Sequence, residues 1–266
     1  KYVIGAEEES ALKKELLRGL ENAHKKIVEN PKSACFIFSY ECNFACPYCY
    51  ERDVLKTKNI FTEEMVDSVL NIYPDKKPQY ISFFGGEPLL LKNKGIISYV
   101  MKKVPDAAYS AISNGYHLSE FLELFRSVKT HGIQVTLDGN GGSHNKTRVL
   151  KNGMPTYQKI IDGIKLYIEN EIPIKIRMNV SKENYQECFE ARESLIKRFD
   201  GSEFLTFELQ ELFQNEEKLT LSKKLFEDDA KSAMHKNEML GTLAPISNFL
   251  YNGKRIKQIG RASCRE

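Results

Sequence analysis

The sequence predicts an α/β fold in which six parallel strands alternate with crossover helices, as an open sheet or a barrel, with a (β/α) barrel the better fit. Three observations carry this expectation. Apolar runs of strand length alternate with amphipathic runs of helix length through six rounds, with connections too tight for anything but parallel pairing and crossovers. Residues of unusual chemistry fall just after the strands, at their carboxyl ends, where barrels of this kind keep their sites. No G-x-G-x-x-G follows the first apolar strand, so the glycine fingerprint of a dinucleotide-binding open sheet is missing.

The elements follow in chain order. Leu12, Leu16, Leu17, Leu20, Ala23, Ile27 and Val28 recur at helical spacing among lysines and glutamates, which predicts an amphipathic helix over 10–30 that Pro31 ends. His24 reads as a surface or boundary histidine of that helix. Residues 34–40 are mostly apolar and read as a buried strand, with Cys35 as a small core residue. A charged linker leads to Thr62, which caps a helix carrying Met65, Val66, Val69, Leu70 and Tyr73, with Glu63 and Glu64 in its first turn.

Residues 80–84 form the second strand and run into Gly85-Gly86-Glu87-Pro88. Ile96, Ile97, Val100 and Met101 mark a helix. The strand over 108–112 ends in Ser113-Asn114-Gly115, and Ser119 is placed to cap the helix of Leu122, Phe125 and Val128. A strand over 133–137 ends in Asp138-Gly139, and a polar loop carries Arg148. Tyr157, Ile160, Ile161, Ile164 and Ile168 predict a helix, 174–180 a strand, 184–199 a helix with Cys188 on its core face, and 205–209 a sixth strand.

Composition narrows the function. Lysine and arginine (39) nearly balance aspartate and glutamate (36), so a net charge of +3 gives no special pull towards nucleic acid or membrane, and neither is expected as a partner. No apolar run approaches the ~18 residues that span a bilayer, and the first residues lack a signal peptide's basic and apolar regions. A cytoplasmic protein is expected. The chain opens on Lys1, which reads as a fragment or a processed product. Its last eight residues, 259–266, can be encoded by a common sequencing-library adapter. The expected organisation is a helical segment over 1–33, the barrel core over 34–213, the helical start of a truncated C-terminal region over 214–258, and an adapter-derived tail over 259–266.

The chemistry centres on Cys42-Asn43-Phe44-Ala45-Cys46-Pro47-Tyr48-Cys49. Six cysteines with three crowded on one loop suit metal binding in a reducing compartment better than a disulfide framework. Three thiolates can hold three corners of a four-iron cluster and leave one iron open, whereas electron carriers and structural zinc sites normally fill all four positions. A zinc knuckle or a group of buried cysteines is compatible with the spacing alone. Gly85 and Gly86 offer backbone that a ligand can approach closely, they or Glu87 can face an ammonium, and Arg148 offers a forked donor for a carboxylate.

C-x-x-x-C-x-aromatic-C after the first strand, G-G-E-P after the second, S-N-G after the third and T-L-D-G after the fourth resemble the radical S-adenosylmethionine (radical SAM) superfamily. The C-Y-E after the last clustered cysteine, Arg148 twelve residues after Thr136, and I-R-M-N-V are similar to its branch of peptide maturases and anaerobic sulfatase maturases. Enzymes of that branch usually carry a C-terminal SPASM or twitch domain with further cysteines, a set that this sequence lacks.

The resemblance implies a partial (β/α)6 TIM-like barrel with a [4Fe-4S] cluster on Cys42, Cys46 and Cys49, whose open iron chelates the amino and carboxylate groups of S-adenosylmethionine. It places Tyr48 against the adenine through its backbone, and Gly85, Gly86 and Glu87 by the methionine amino group. Thr136 and Arg148 fall to the ribose and methionine portion, while Ser113, Asn114, Asp138, Arg177 and Asn179 line the same mouth. The implied reaction is reductive cleavage to a 5′-deoxyadenosyl radical that takes hydrogen from a peptide or protein side chain, fed by a flavodoxin- or ferredoxin-like donor. Thioether or other cross-link formation is the first expectation and formylglycine formation the second. A non-catalytic iron–sulfur or zinc-binding module is the alternative of another class. No catalytic side chain is singled out.

Overall fold

A computed structural model describes residues 32–49, 51, 61–73, 75, 77–180 and 184–211, together with Arg18. The chain divides into two compact units, Lys1–Leu212 and Phe213–Glu266, and the described residues all belong to the first. The expected helix over 10–30 with His24, except for the helical Arg18, and the whole of 214–266 lie outside the described residues.

The described elements run β1 (Ser33–Ile37), α1 (Glu63–Leu70), β2 (Tyr80–Phe84), a 3₁₀ turn (Leu91–Asn93) leading into α2 (Lys94–Lys103), and β3 (Ala108–Ser113). They continue with α3 (Leu118–Arg126), β4 (Lys129–Leu137), α4 (Gly141–Thr147), α5 (Tyr157–Glu169), β5 (Ile174–Val180), α6 (Tyr185–Arg198) and β6 (Leu205–Glu211). The six strands form one sheet in the order β1-β2-β3-β4-β5-β6, and every neighbouring pair is parallel. Parallel neighbours joined by right-handed crossovers in unbroken sequence put every helix on one face. That is the winding of a barrel, left open between β6 and β1 among the described residues.

Alternation along the strands shows the two faces. In β4, Ile133, Val135 and Leu137 are fully buried, and in β5 Ile174, Ile176, Met178 and Val180 are buried too. These residues meet the helix layer, which contributes Leu118, Phe121 and Phe125 from α3 and Ile160, Ile161, Ile164 and Tyr167 from α5. Each such side chain, taken fully from water, contributes about 1.5–3 kcal/mol. Gln134, Thr136, Lys175, Arg177 and Asn179 point the other way and are half-buried or exposed, so they line the concave face. No helix among the described residues is long and apolar enough to cross a membrane.

Four local expectations change. Cys35 is exposed, because Ala34, Phe36 and Phe38 take the buried side of the first strand and its period of two turns Cys35 to the concave face. Strand β4 begins at Lys129, four residues before the expected start, where the β3–β4 register shifts between Tyr109 and Ser110 and hides the alternation. Helix α3 begins at Leu118, whose fully buried side chain draws the first turn forward; Ser119 lies inside it and donates to Glu120 at 2.7 Å instead of capping. The polar stretch before Arg148 is helix α4, started by the Asn140 side chain, which accepts from the amides of Gly142 and Ser143.

Candidate active site

The cysteine loop leaves β1 and is fastened to a segment a hundred residues further on. Phe44 makes an antiparallel bridge with Leu150, the Ala45 amide donates to the Val149 carbonyl at 3.0 Å, and the Lys151 amide donates to the Asn43 carbonyl at 3.0 Å. Cys42, Cys46 and Cys49 are each partly buried. Cys42 Sγ accepts from the Phe44 amide at 3.4 Å and lies 3.8 Å from Asn114 Nδ2. Burial first, then the negative charge of Glu87, pushes the Cys42 thiol up to about 12. Burial also raises Cys46, and Arg148 opposes it.

Gly85 and Gly86 sit against the start of this loop. A Cβ on Gly86 would lie 2.2 Å from the Tyr40 carbonyl oxygen, and Gly85 combines φ of +117° with a Cβ position 2.6 Å from the Ser39 oxygen. No side chain fits there. The close approach that requires these glycines is therefore made by the protein's own backbone. Two bonds hold it, from the Gly86 amide to the Ser39 carbonyl at 3.3 Å and from the Glu87 amide to the Glu41 carbonyl at 2.8 Å.

Glu87 is 1% exposed. Its Oε1 accepts from the Leu89 amide and from Ser113 Oγ, each at 2.8 Å, and its Oε2 accepts from the Asn114 amide at 2.6 Å. One carboxylate thus joins the end of β2 to the end of β3. Burial raises it to about 6 despite these donors. Asn114 then reaches the cysteine loop, its Nδ2 donating to Asn43 Oδ1 at 2.7 Å.

A second network crosses the mouth from the loop to β4. Arg148 Nη1 donates to the Tyr48 hydroxyl at 2.8 Å, and that hydroxyl donates to Asp138 Oδ2 in a short bond. Asp138 also accepts from Thr147 Oγ1 at 2.9 Å and from Asn179 Nδ2 at 3.5 Å. Burial drives the Tyr48 phenol upward, so it stays protonated and can serve both partners.

His144 fixes the frame behind this network. The Asp138 amide donates to Nδ1 at 3.3 Å, so Nε2 carries the proton and faces Thr156 Oγ1 at 3.0 Å. Thr156 in turn donates to the Arg148 carbonyl. Burial first, and then the Arg148 charge, pulls His144 down to about 3, and it remains neutral.

The structure therefore gathers Cys42, Cys46, Cys49, Tyr48, Gly85, Gly86, Glu87, Ser113, Asn114, Asp138 and Arg148 around one end of the sheet. Thr136 and Arg177 are paired neighbours on β4 and β5, and no side-chain hydrogen bond of theirs among the described residues joins them to either network. His144, Thr147 and Thr156 are absent from the sequence motifs. The four-residue spacing of Asn140, His144 and Arg148 is a sequence signal for His144 alone. A shallow depression lined by Lys77, Gln79, Val104 and Ala107 lies at the opposite ends of the strands, away from this chemistry.

Comparison with known proteins decides the family. The radical SAM superfamily pattern matches residues 36–195. The chain belongs to the radical SAM superfamily.

Radical SAM enzymes use a [4Fe-4S] cluster and S-adenosylmethionine. Among this chain's described residues no three His, Cys, Asp or Glu side chains are gathered to hold a single metal ion. A four-iron cluster takes each thiolate on a separate iron, so its ligands surround it instead of meeting at one point. Cys46 interacts electrostatically with both Cys42 and Cys49, and the buried donors Asn43 Nδ2 and Arg148 Nε have no hydrogen-bond partner. Neighbouring thiols beside unsatisfied donors fit an electron-rich group.

The radical SAM relatives include the cysteine-type anaerobic sulfatase-maturating enzyme of Clostridium novyi, 24% identical over 54% of this chain and 42% of the relative. The sporulation killing factor maturation protein SkfB of Bacillus subtilis is 23% identical over 59% of this chain and 38% of its own length. The pyruvate formate-lyase-activating enzyme of Staphylococcus epidermidis is 26% identical over 56% of this chain and 53% of the relative. The chain spans about half or less of these relatives. Streptococcus suis SuiB bound to its precursor peptide SuiA shares the fold at a TM-score of 0.63, with 13% identity over 90% of this chain and 58% of SuiB. Native anSMEcpe with bound AdoMet superposes at 0.57, with 20% identity over 70% of this chain and 54% of that enzyme.

Proposed function

We propose that this chain is the core of a radical SAM enzyme that modifies a peptide or protein side chain. The observation that carries the reading is the convergence of the cysteine loop, Glu87 and the Tyr48–Asp138–Arg148 network at one end of the sheet. In this reading Cys42, Cys46 and Cys49 hold three irons of the [4Fe-4S] cluster, and Gly85, Gly86 and Glu87 lie by the methionine amino group of S-adenosylmethionine. Glu87 already accepts three protein bonds, so about one lone pair is left for that ammonium. Thr136 and Arg148 take the ribose and methionine portion, and Ser113, Asn114, Asp138, Arg177 and Asn179 complete the wall.

When bound, the reduced cluster and the sulfonium together supply one-electron cleavage to methionine and a 5′-deoxyadenosyl radical able to take hydrogen from a substrate. The chain's own residues do the holding. The Tyr48 hydroxyl, clamped between Arg148 and Asp138, fixes the backbone next to Cys49, where the adenine is expected. The buried wall keeps water away from the reacting atoms. A low-potential flavodoxin- or ferredoxin-like protein supplies the electron.

Cross-link formation on a precursor peptide is the preferred reaction, supported by the likeness to SkfB and to SuiB with its precursor. Formylglycine formation is the second reading, supported by the sulfatase-maturating relatives. A gene for a short cysteine-rich precursor beside this one favours the first, and a sulfatase gene the second.

The test is anaerobic reconstitution with iron and sulfide, then reduction with dithionite in the presence of S-adenosylmethionine. The wild-type chain is expected to form 5′-deoxyadenosine, and Cys49→Ala to lose both the cluster and the cleavage. Retained iron and retained cleavage in Cys49→Ala would contradict the ligand assignment.

A further inference from the structure

Two rings lie in a row between two cations behind the cysteine loop. The Arg148 guanidinium lies 5.6 Å from the centre of the Phe44 ring, Phe44 and Tyr116 pack in a T shape with ring centres 6.1 Å apart, and Lys159 Nζ lies 4.3 Å from the centre of the Tyr116 ring. Glu120 holds Lys159 at 2.9 Å, and it also faces His117 at 3.4 Å and Ser119 at 2.7 Å. Phe44, 4% exposed, stands between Cys42 and Cys46. Tyr116, Lys159 and Glu120 belong to none of the sequence motifs.

The backbone bonds of Asn43 and Ala45, on either side of Phe44, run to one segment, 149–151, and so hold the loop there. The other side is held from the β3–α3 connection, by Asn114 on Asn43 and by Tyr116 on Phe44. The amide clamps the start of the loop, and the ring clamps its middle. Lys159, kept over the Tyr116 ring by Glu120, limits how that ring can turn.

We infer that Tyr116, backed by Lys159, is a positioning residue for the cluster, fixing Phe44 and thereby the spacing of Cys42 and Cys46 before iron arrives. The inference rests on the reading that Cys42, Cys46 and Cys49 hold the cluster. It concerns the metal-free loop as well as the loaded one. The ring carries the role, because the contact to Phe44 is edge to ring and the Tyr116 hydroxyl makes no hydrogen bond among the described residues.

The experiment compares the full chain with Tyr116→Ala, Tyr116→Phe and Lys159→Met. Tyr99→Ala is the matched control, since Tyr99 carries the same kind of lysine contact, from Lys103 at 5.0 Å, on helix α2. Two rates are read: alkylation of Cys42 and Cys46 in the iron-free chain, followed by peptide mass spectrometry, and loss of iron to excess chelator after reconstitution. Tyr116→Ala is expected to raise both roughly 5- to 10-fold, with Tyr116→Phe near wild type. Lys159→Met is expected to raise them roughly 2- to 5-fold, and Tyr99→Ala not at all.

Wild-type rates in Tyr116→Ala overturn the inference, and so does an equal rise in Tyr99→Ala, which would mark general loosening of the fold. Failure of the wild-type chain to take up iron defeats the ligand assignment instead. The alkylation rates still decide whether Tyr116 positions the loop.

Discussion

Glu87 is kept from water yet surrounded by donors, and the balance between those two influences sets how it titrates. Its carboxyl is raised from 4.5 to about 6, so the folded chain binds this proton more tightly than the unfolded one. The stabilisation is full below about pH 4.5 and is lost as pH rises through about 6, and it amounts to about 2 kcal/mol. In the metal-free chain, urea unfolding between pH 4 and pH 8 should show this loss in the wild type and lack it in Glu87→Gln. Parallel pH profiles for the two proteins would refute the assignment. At this scale the motifs were legible because a three-thiolate cluster and tight turns after strands admit few residue types. His144 and Thr147 were not, since the polar helix α4 leaves no apolar period to read, and Thr156 is a single polar residue ahead of α5.

At the scale of elements, the connection after β2 and the loop after β1 are one packed object. The backbone of Ser39, Tyr40 and Glu41 occupies the space where Gly85 and Gly86 would carry side chains. Gly86→Ala therefore forces the cysteine loop outward and should cost roughly 1–3 kcal/mol in urea unfolding, with reduced iron uptake on reconstitution. Gly95 in α2 has open space around its Cβ position, so Gly95→Ala should stabilise by about 0.5–1 kcal/mol. Similar effects of the two substitutions would show that the packing against the loop does not matter. The sequence marked Gly85 and Gly86 as a place for close approach, but the pattern of residues carries no sign of which partner approaches. Helix α4 was hidden for a related reason: its first turn is Gly-Gly-Ser, and Asn140 supplies the start that propensity does not.

For the whole molecule, alternation of strand and helix was sufficient to give the order of the sheet. Short parallel crossovers leave each strand little choice but to lie beside its predecessor. The extent of β4 was less legible, because a register shift breaks the period of two that reveals a strand. Strands β2 to β5 are paired on both sides, with β3 and β4 at the centre, while β1 and β6 each pair on one side among the described residues. Amide hydrogen exchange should accordingly be slowest in β3 and β4, near the limit set by global unfolding, and at least ~10-fold faster in β1 and β6 through local opening. Equal protection across all six strands would mean that the sheet opens only as a unit.

The stitching of Asn43, Phe44 and Ala45 to Val149, Leu150 and Lys151 bears on the timing of biosynthesis. A ribosome makes the three cysteines about a hundred residues before the segment that fastens them. The nascent loop therefore lacks this one fastening until synthesis has passed Lys151. Cluster delivery to a loop of fixed shape can only follow that point.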